Sequence, residues 1–201
     1  MTVQVRSEMM TDPHLPGWLV PPPEGFTATD LDHLTDLPAH TELIDGSLVF
    51  VSPQASFHAL IITVLENGLR KTVPSDLRVR REMSVILAPR QRPEPDLVVI
   101  HATADLRPDV TAYQAADAVL AVEVVSPDSE TRDRERKPQL YAAAGIRHFW
   151  RVERNGGGAT VYVYELDPAT RAYALTGIHH DKLRLAVPFE VDIDLTEIDQ
   201  L

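Results

Sequence analysis

The chain contains no cysteine, which removes disulfides and thiolate metal sites from the possibilities at once. No apolar run approaches the roughly 18 residues that a membrane span needs. The N-terminal stretch MTVQVRSEMMTDPHLPGW has no apolar signal core, so a cytoplasmic protein with no membrane partner is the expectation. No G-x-S-x-G nucleophile motif is present, and the glycines after Asn155 lack the following lysine of a phosphate loop. Basic residues are the scarcer charge, 19 Lys and Arg against 30 Asp and Glu, for a net charge of −11. A uniformly acidic surface repels nucleic acid. The imbalance is local, however. Residues 1–57 carry 1 basic and 8 acidic side chains, whereas residues 128–151 carry 6 and 4. The acidity lies mostly in the two flanks, and the middle of the chain is near neutral with short basic runs.

What remains is globular. Hydrophobic residues make up 44% and charged residues 24% of 201 residues, which suits one domain with a sizeable core. Five of the 16 prolines fall at Pro13, Pro16, Pro21, Pro22 and Pro23 and deny both helix and central strand there. Residues 1–26 are therefore expected to form an extended arm, with a single domain over 27–201.

Thr27 or Thr29 can cap a short helix near 28–36. Asp45-Gly46 between two apolar runs predicts a hairpin with strands near 41–44 and 47–52. Leu60, Ile61, Val64, Leu65 and Leu69 recur at helical spacing and predict an amphipathic helix from Phe57 to Arg70. Residues 77–88 read as one strand with Val79, Met83, Val85 and Leu87 on one face, and 96–101 as another. AVLAVEVVS, 118–126, is nearly continuous in its apolar character and reads as a central strand covered on both faces. A helix follows over roughly 130–144, kinked or opened by Pro138 and stopped by Gly145. Strand 147–153, a glycine turn, a returning strand VYVYEL and a further hairpin over 171–187 complete the chain. The fold class is α/β with a mixed sheet, in the order helix, three strands, helix, strand, with a hairpin added before it and β additions after it.

Three acids stand where acids are costly. Asp96 opens the strand DLVVI, Glu123 lies inside AVLAVEVV, and Glu42 opens ELIDG. A carboxylate in a buried strand costs several kcal/mol unless it is paired or bound to a metal. A strand-end glutamate that reaches solvent or an arginine is the competing reading of Glu123. If the two strands are neighbours, Asp96 and Glu123 converge on one hard cation, for which oxygen ligands and waters suit Mg²⁺, with Mn²⁺ as a substitute. Lys137, on the following helix, can then stabilise charge on a phosphate or orient a water. Asp133 and Tyr141 lie four residues to either side of it and share its helix face. His179-His180-Asp181 is a weak metal candidate, because adjacent residues on a hairpin diverge. Phe149 and Trp150 read as core.

RPEPDL, then VEVVSP, then DRERKPQLYAAAGIRHFW resemble the Uma family of putative restriction endonucleases, in the PD-(D/E)XK nuclease superfamily. ELIDGSLVFVSP and the helix near His58 match that family's N-terminal half, and the likeness covers roughly residues 40–153. The resemblance implies a restriction-endonuclease-like αβββαβ core and a metal-dependent phosphodiesterase site acting on DNA. Asp96 falls on the PD aspartate and Glu123 on the acid of the next strand. The lysine of the standard motif would stand at Val125 and is absent. In the similar family it has moved to the next helix, where Lys137 occupies the matching place. Glu42 matches the acid of ELIDG, as a further metal ligand, and His58 matches a helix-start histidine. The combined expectation is an Mg²⁺-dependent endonuclease with Asp96, Glu123, Glu42 and Lys137 catalytic, His58, Asp133 and Tyr141 supporting, and a homodimer to cut two strands. The rival expectations are a catalytically degenerate nuclease fold used for binding or assembly, and a nuclease acting on RNA or repair intermediates.

Overall fold

The structure is a computed structural model and describes residues 16–201. Most of the proline-rich segment, residues 1–15, lies outside the described residues. Within the rest of it, Trp18 packs edge-on against Phe50 with ring centroids 5.3 Å apart, and Phe26 is buried beside Leu43. The helix expected over 28–36 is only a 3-10 turn at Asp30–Asp32. The capping chemistry is present without the helix: the Thr27 amide and hydroxyl both donate to Asp30 Oδ2 at 2.7 Å.

The first hairpin pairs β1 (Glu42–Ile44) with β2 (Ser47–Val49). Its two turn residues, Asp45 and Gly46, adopt φ of 55° and 78°. Two successive left-handed residues are what a tight two-residue hairpin requires, and Asp-Gly is among the pairs that tolerate them. Helix α1 (Ser56–Thr72) follows, with Ile61, Ile62, Val64, Leu65 and Leu69 buried along one side.

The central sheet has six strands: β3 (Leu77–Arg81), β5 (Leu97–His101), β7 (Ala118–Val124), β8 (His148–Asn155), β9 (Gly158–Asp167) and β10 (Ala172–His179). Their spatial order is β10-β9-β8-β7-β5-β3. All pairs are antiparallel except β7 with β8. A parallel pair needs a crossover, and helix α2 (Lys137–Ala143) provides it. The series α1, β3, β5, β7, α2, β8 is the αβββαβ order of a restriction-endonuclease-like core. Two small sheets flank it: β4 (Ser84–Ile86) with β6 (Ala112–Gln114), and β11 (Lys182–Leu185) with β12 (Val191–Asp194).

Two differences from the sequence pattern matter. Residues 77–88 form two strands rather than one, because Glu82 takes φ 51° and turns the chain out of the sheet. Val79 then packs on the α1 side, while Met83, Val85 and Leu87 pack on the opposite side. The C-terminal residues are not one hairpin over 171–187 either, since β10 returns on β9 and β11 pairs with β12. Among the described residues no helix is long and apolar enough to cross a membrane.

The alternation along β7 sorts the core. Leu120, Val122 and Val124 face the cluster that includes α1, while Ala121 faces the cluster that includes Tyr141, Ile146 and Phe149. By the two-residue period of a strand, Glu123 shares the face of Ala121 and points toward α2. Trp150 and Phe149, both fully buried, belong to the first and second cluster respectively.

Helix α1 approaches β12 closely at Gly68, where an added Cβ would collide with the Ile193 side chain. Gly68→Ala gains up to about 1 kcal/mol of helix propensity but overpacks a buried contact, at a cost of about 1–3 kcal/mol. We expect a net loss in chemical denaturation. Combined with Ile193→Ala, the loss should be smaller than the sum of the two single losses. Additivity within about 0.5 kcal/mol would mean that the two residues do not compete for the same space.

Candidate active site

The β5–β7 register pairs Leu97 with Val122. One step further along this antiparallel pair sets Asp96 opposite Glu123. Residues directly opposite have Cβ atoms about 4.5–5.5 Å apart, so the fold brings the two acids together at the end of two central strands. Asp96 has a neighbour at each oxygen, a hydrogen bond at one and an ion-pair contact at the other. Its Oδ2 accepts the Val124 amide at 2.6 Å, and its Oδ1 lies 3.1 Å from His58 Nε2, which the first turn of α1 supplies.

Lys137 enters from the other side. The chain before it, Arg132–Arg136, is a π-turn in which the Lys137 amide bonds back to the Arg132 carbonyl. Pro138 explains this local widening. It has no amide to give to the carbonyl four residues earlier, and its ring would strike that carbonyl in a regular helix. The Lys137 Nζ then lies 3.0 Å from Glu123 Oε2, 2.9 Å from Glu42 Oε1 and 3.3 Å from Asp133 Oδ1. Of the three, only the Glu123 contact has the alignment of a hydrogen bond; Glu42 and Asp133 attract as ion pairs, and Asp133 Oδ1 has no hydrogen-bond partner among the described residues. Tyr141 donates its hydroxyl to Glu123 Oε1 at 2.5 Å. Glu42, Glu123, Asp133, Lys137 and Tyr141 are each no more than 5% exposed.

This density of charge moves the titrations. Burial pushes the Glu123 carboxyl well above the usual carboxylate range. Lys137 pulls it down, and the negative charges of Asp133, Asp96 and Glu42 push it up. Burial likewise raises Asp133, against the pull of Lys137. For Lys137 burial opposes the charge, but Glu123, Glu42 and Asp133 outweigh it and hold the ammonium well above its ordinary value. Burial and the charge of Glu123 keep the Tyr141 phenol protonated. The pocket thus has two persistent donors, an ammonium and a phenol, and more acid than base.

All seven residues singled out from the sequence meet here: Asp96, Glu123, Lys137, Glu42, His58, Asp133 and Tyr141. They meet around a narrow cavity of about 40 Å³, except that Tyr141 sits behind Glu123 rather than on the lining. Four further residues were not anticipated as parts of the site. Arg132 lines the cavity with Ser126. Glu94 also lines it, is pushed up by burial, and lies 2.5 Å from His40 Nδ1. Asp45 is the fourth. It pairs with Arg136, Nε to Oδ2 at 2.8 Å, so the two acids of ELIDG hold the consecutive residues Arg136 and Lys137. The ELIDG–RERK pairing has no signal in local spacing, since Asp45 and Arg136 are far apart in the chain. His179 and His180 lie outside this cavity, and His180 Nδ1 is 3.1 Å from the Thr160 hydroxyl.

Among the described residues no three His, Asp or Glu side chains are spaced to hold a metal by themselves. The donor set is nonetheless one of hard oxygens in surplus over cations. An ion that keeps most of its waters needs only one or two such carboxylates.

Comparison with known proteins bears on this arrangement. The family model Uma2, described as "Putative restriction endonuclease", matches residues 28–196. No curated protein matches the chain. Among solved structures, the chain is similar to a crystal structure described as that of a putative nuclease belonging to DUF820 from Anabaena variabilis. The identity is 16% and the TM-score 0.58, over 81% of this chain and 89% of that one. At that identity the likeness is one of fold. Since the family model spans most of its length, this chain belongs to the Uma2 family of putative restriction endonucleases.

Proposed function

We propose that the protein is a divalent-metal-dependent endonuclease that hydrolyses phosphodiester bonds in DNA. The observation that carries this reading is the convergence of Asp96 and Glu123 on paired strands with the Lys137 ammonium 3.0 Å from Glu123. Asp96 and Glu123 are the residues that would hold Mg²⁺ or Mn²⁺, and the surplus of buried carboxyls supports a cation there. When bound, such an ion supplies Lewis-acid polarisation of the phosphate and a lowered pKa for water.

The chain's own groups do the rest. The Val124 amide and His58 fix Asp96, so its oxygens keep their direction. Tyr141 and Lys137 do the same for Glu123. Lys137 carries positive charge to the place where a phosphate gains negative charge, and it can orient the attacking water. Glu42 and Asp133 keep that ammonium charged and in position. Glu42 remains a candidate ligand, with Oε1 already shared between Lys137 and the Glu94 amide at 2.8 Å. Arg132, at the cavity wall, is placed to meet the phosphate. A second reading, a nuclease fold without catalysis, draws on one observation: the Lys137 ammonium already sits among three of the acids.

Cleavage of plasmid DNA with Mg²⁺ or Mn²⁺ tests the proposal. Asp96→Asn and Lys137→Met should lower the rate by at least about 10²-fold. Equal cleavage by wild type and both variants would assign the activity to a contaminant.

Thermal melting separates the two readings. At Mn²⁺ about 100 times its Kd, wild type should gain about 2.7 kcal/mol, and Asp96→Asn should gain none. Superimposed wild-type curves with and without Mn²⁺ would favour the non-catalytic fold.

We also propose a homodimer. Its support is the edge of the sheet at β10, whose sequence AYALTGIH has no Asp, Glu, Lys or Arg, with Leu175 and Ile178 about half exposed. The other edge, β3, carries Arg78, Arg80 and Arg81. Charge guards an edge against pairing, and its absence invites it. For a chain of net charge −11, an uncharged strand is also where a second copy meets the least repulsion. Light scattering should give twice the 22.4 kDa of one chain, and Leu175→Lys should return it to one. A wild-type monomer at all concentrations would exclude the dimer.

A further inference from the structure

Two larger cavities adjoin the one that holds the acids. On one side lies a cavity of about 430 Å³ whose lining includes His40, Glu82 and Glu94. On the other lies one of about 310 Å³ between the start of α1, the β7–α2 loop and the end of β8. His58 and Ser126 line both the second cavity and the acid site, so the two are neighbours across these side chains.

The chemistry of the second cavity is that of a base rather than a phosphate. Phe57, Val125 and Pro127 give it an apolar wall. Two of its charged residues cancel, because Arg134 binds Glu153 through both Nε, at 3.0 Å, and Nη2, at 2.7 Å. The guanidinium of Arg154 stands over the Phe57 ring, 5.7 Å from its centroid. Among the described residues no carboxylate lies within ion-pair distance of Arg154. A flat cation beside an aromatic ring offers π-stacking to a nucleobase. With two arginines and two glutamates on the lining, Arg134, Arg154, Glu130 and Glu153, the cavity has no surplus positive charge to draw an anion. The cavity on the other side is acidic and suits neither.

We infer that this cavity receives an unpaired nucleobase of the strand whose phosphate lies at Asp96 and Glu123. The proposal rests on the nuclease reading above and narrows its substrate class. In continuous duplex a base is stacked and paired, and its face is closed to Phe57 and Arg154 until it is extruded. The enzyme therefore prefers single-stranded DNA, frayed ends or flaps over intact duplex.

Fluorescence anisotropy tests this with the full chain in Ca²⁺. Three probes are compared: a short single-stranded oligo-dT, an abasic strand of the same length, and a blunt duplex. Oligo-dT should bind about tenfold more tightly than either of the others. Arg154→Ala and Phe57→Leu, the latter chosen to keep the packing of α1, should each weaken oligo-dT binding about tenfold and leave abasic binding unchanged. Equal binding of dT and abasic strands, unchanged affinity in both variants, or no binding of any probe would overturn the inference. Cleavage in Mn²⁺ is read in parallel. Base-dependent binding without cleavage would overturn the nuclease reading and leave the base pocket standing. Cleavage without base-dependent binding would do the reverse.

Discussion

One buried ammonium organises the centre of this protein. Lys137 is almost wholly removed from water and is held by Glu123, Glu42 and Asp133. Desolvating any of these ions alone costs several kcal/mol. None of the four can be buried without the others, so a central strand, a hairpin and a crossover helix are tied to one arrangement. Carboxyl groups still outnumber the cations, and burial, reinforced by the neighbouring acids, raises the Glu123 carboxyl against the pull of Lys137. An acid surplus of this kind accommodates a further positive charge.

The backbone around Lys137 is shaped by this requirement. Pro138 forces the preceding turn open, and the helix that results presents Lys137 and Tyr141 together to Glu123. From below, the first hairpin clamps the same helix, with Glu42 on Lys137 and Asp45 on Arg136. The hairpin itself depends on the left-handed Asp45-Gly46 turn. A turn that looks like simple punctuation in the sequence therefore sets the position of a charge deep in the site.

Much of this was legible in the residues. Asp96 and Glu123 stood out because a carboxyl within an apolar strand demands a partner. The β5–β7 pairing that unites them follows from their being consecutive members of one sheet. Lys137 did not stand out within RDRERK by charge alone; its place on the helix after Glu123 raised it as a candidate, and the resemblance to a family matched it to the displaced lysine. The break at Glu82 was not legible, because the alternation from Val79 to Leu87 reads through it. Only the tertiary fold sends Val79 and Val85 to opposite faces. The partnership of Asp45 with Arg136, and that of His40 with Glu94, join positions distant in sequence and have no local signature. The 3-10 turn at Asp30 shows the converse, a good capping pair whose following residues do not continue the helix.

The acidic chain and the neutral, aromatic cavity beside the site are consistent with each other. A protein that repels phosphate at long range gains little from a broad backbone groove, which fits the proposal that bases and a local cation hold the strand. Hydrolysis at this site requires the acid pair to accept a divalent ion. The most direct measurement is anomalous diffraction from crystals soaked in Mn²⁺. It should show a peak beside the carboxylates of Asp96 and Glu123, with Lys137 still on Glu123. A well-soaked crystal with no peak there would contradict the account.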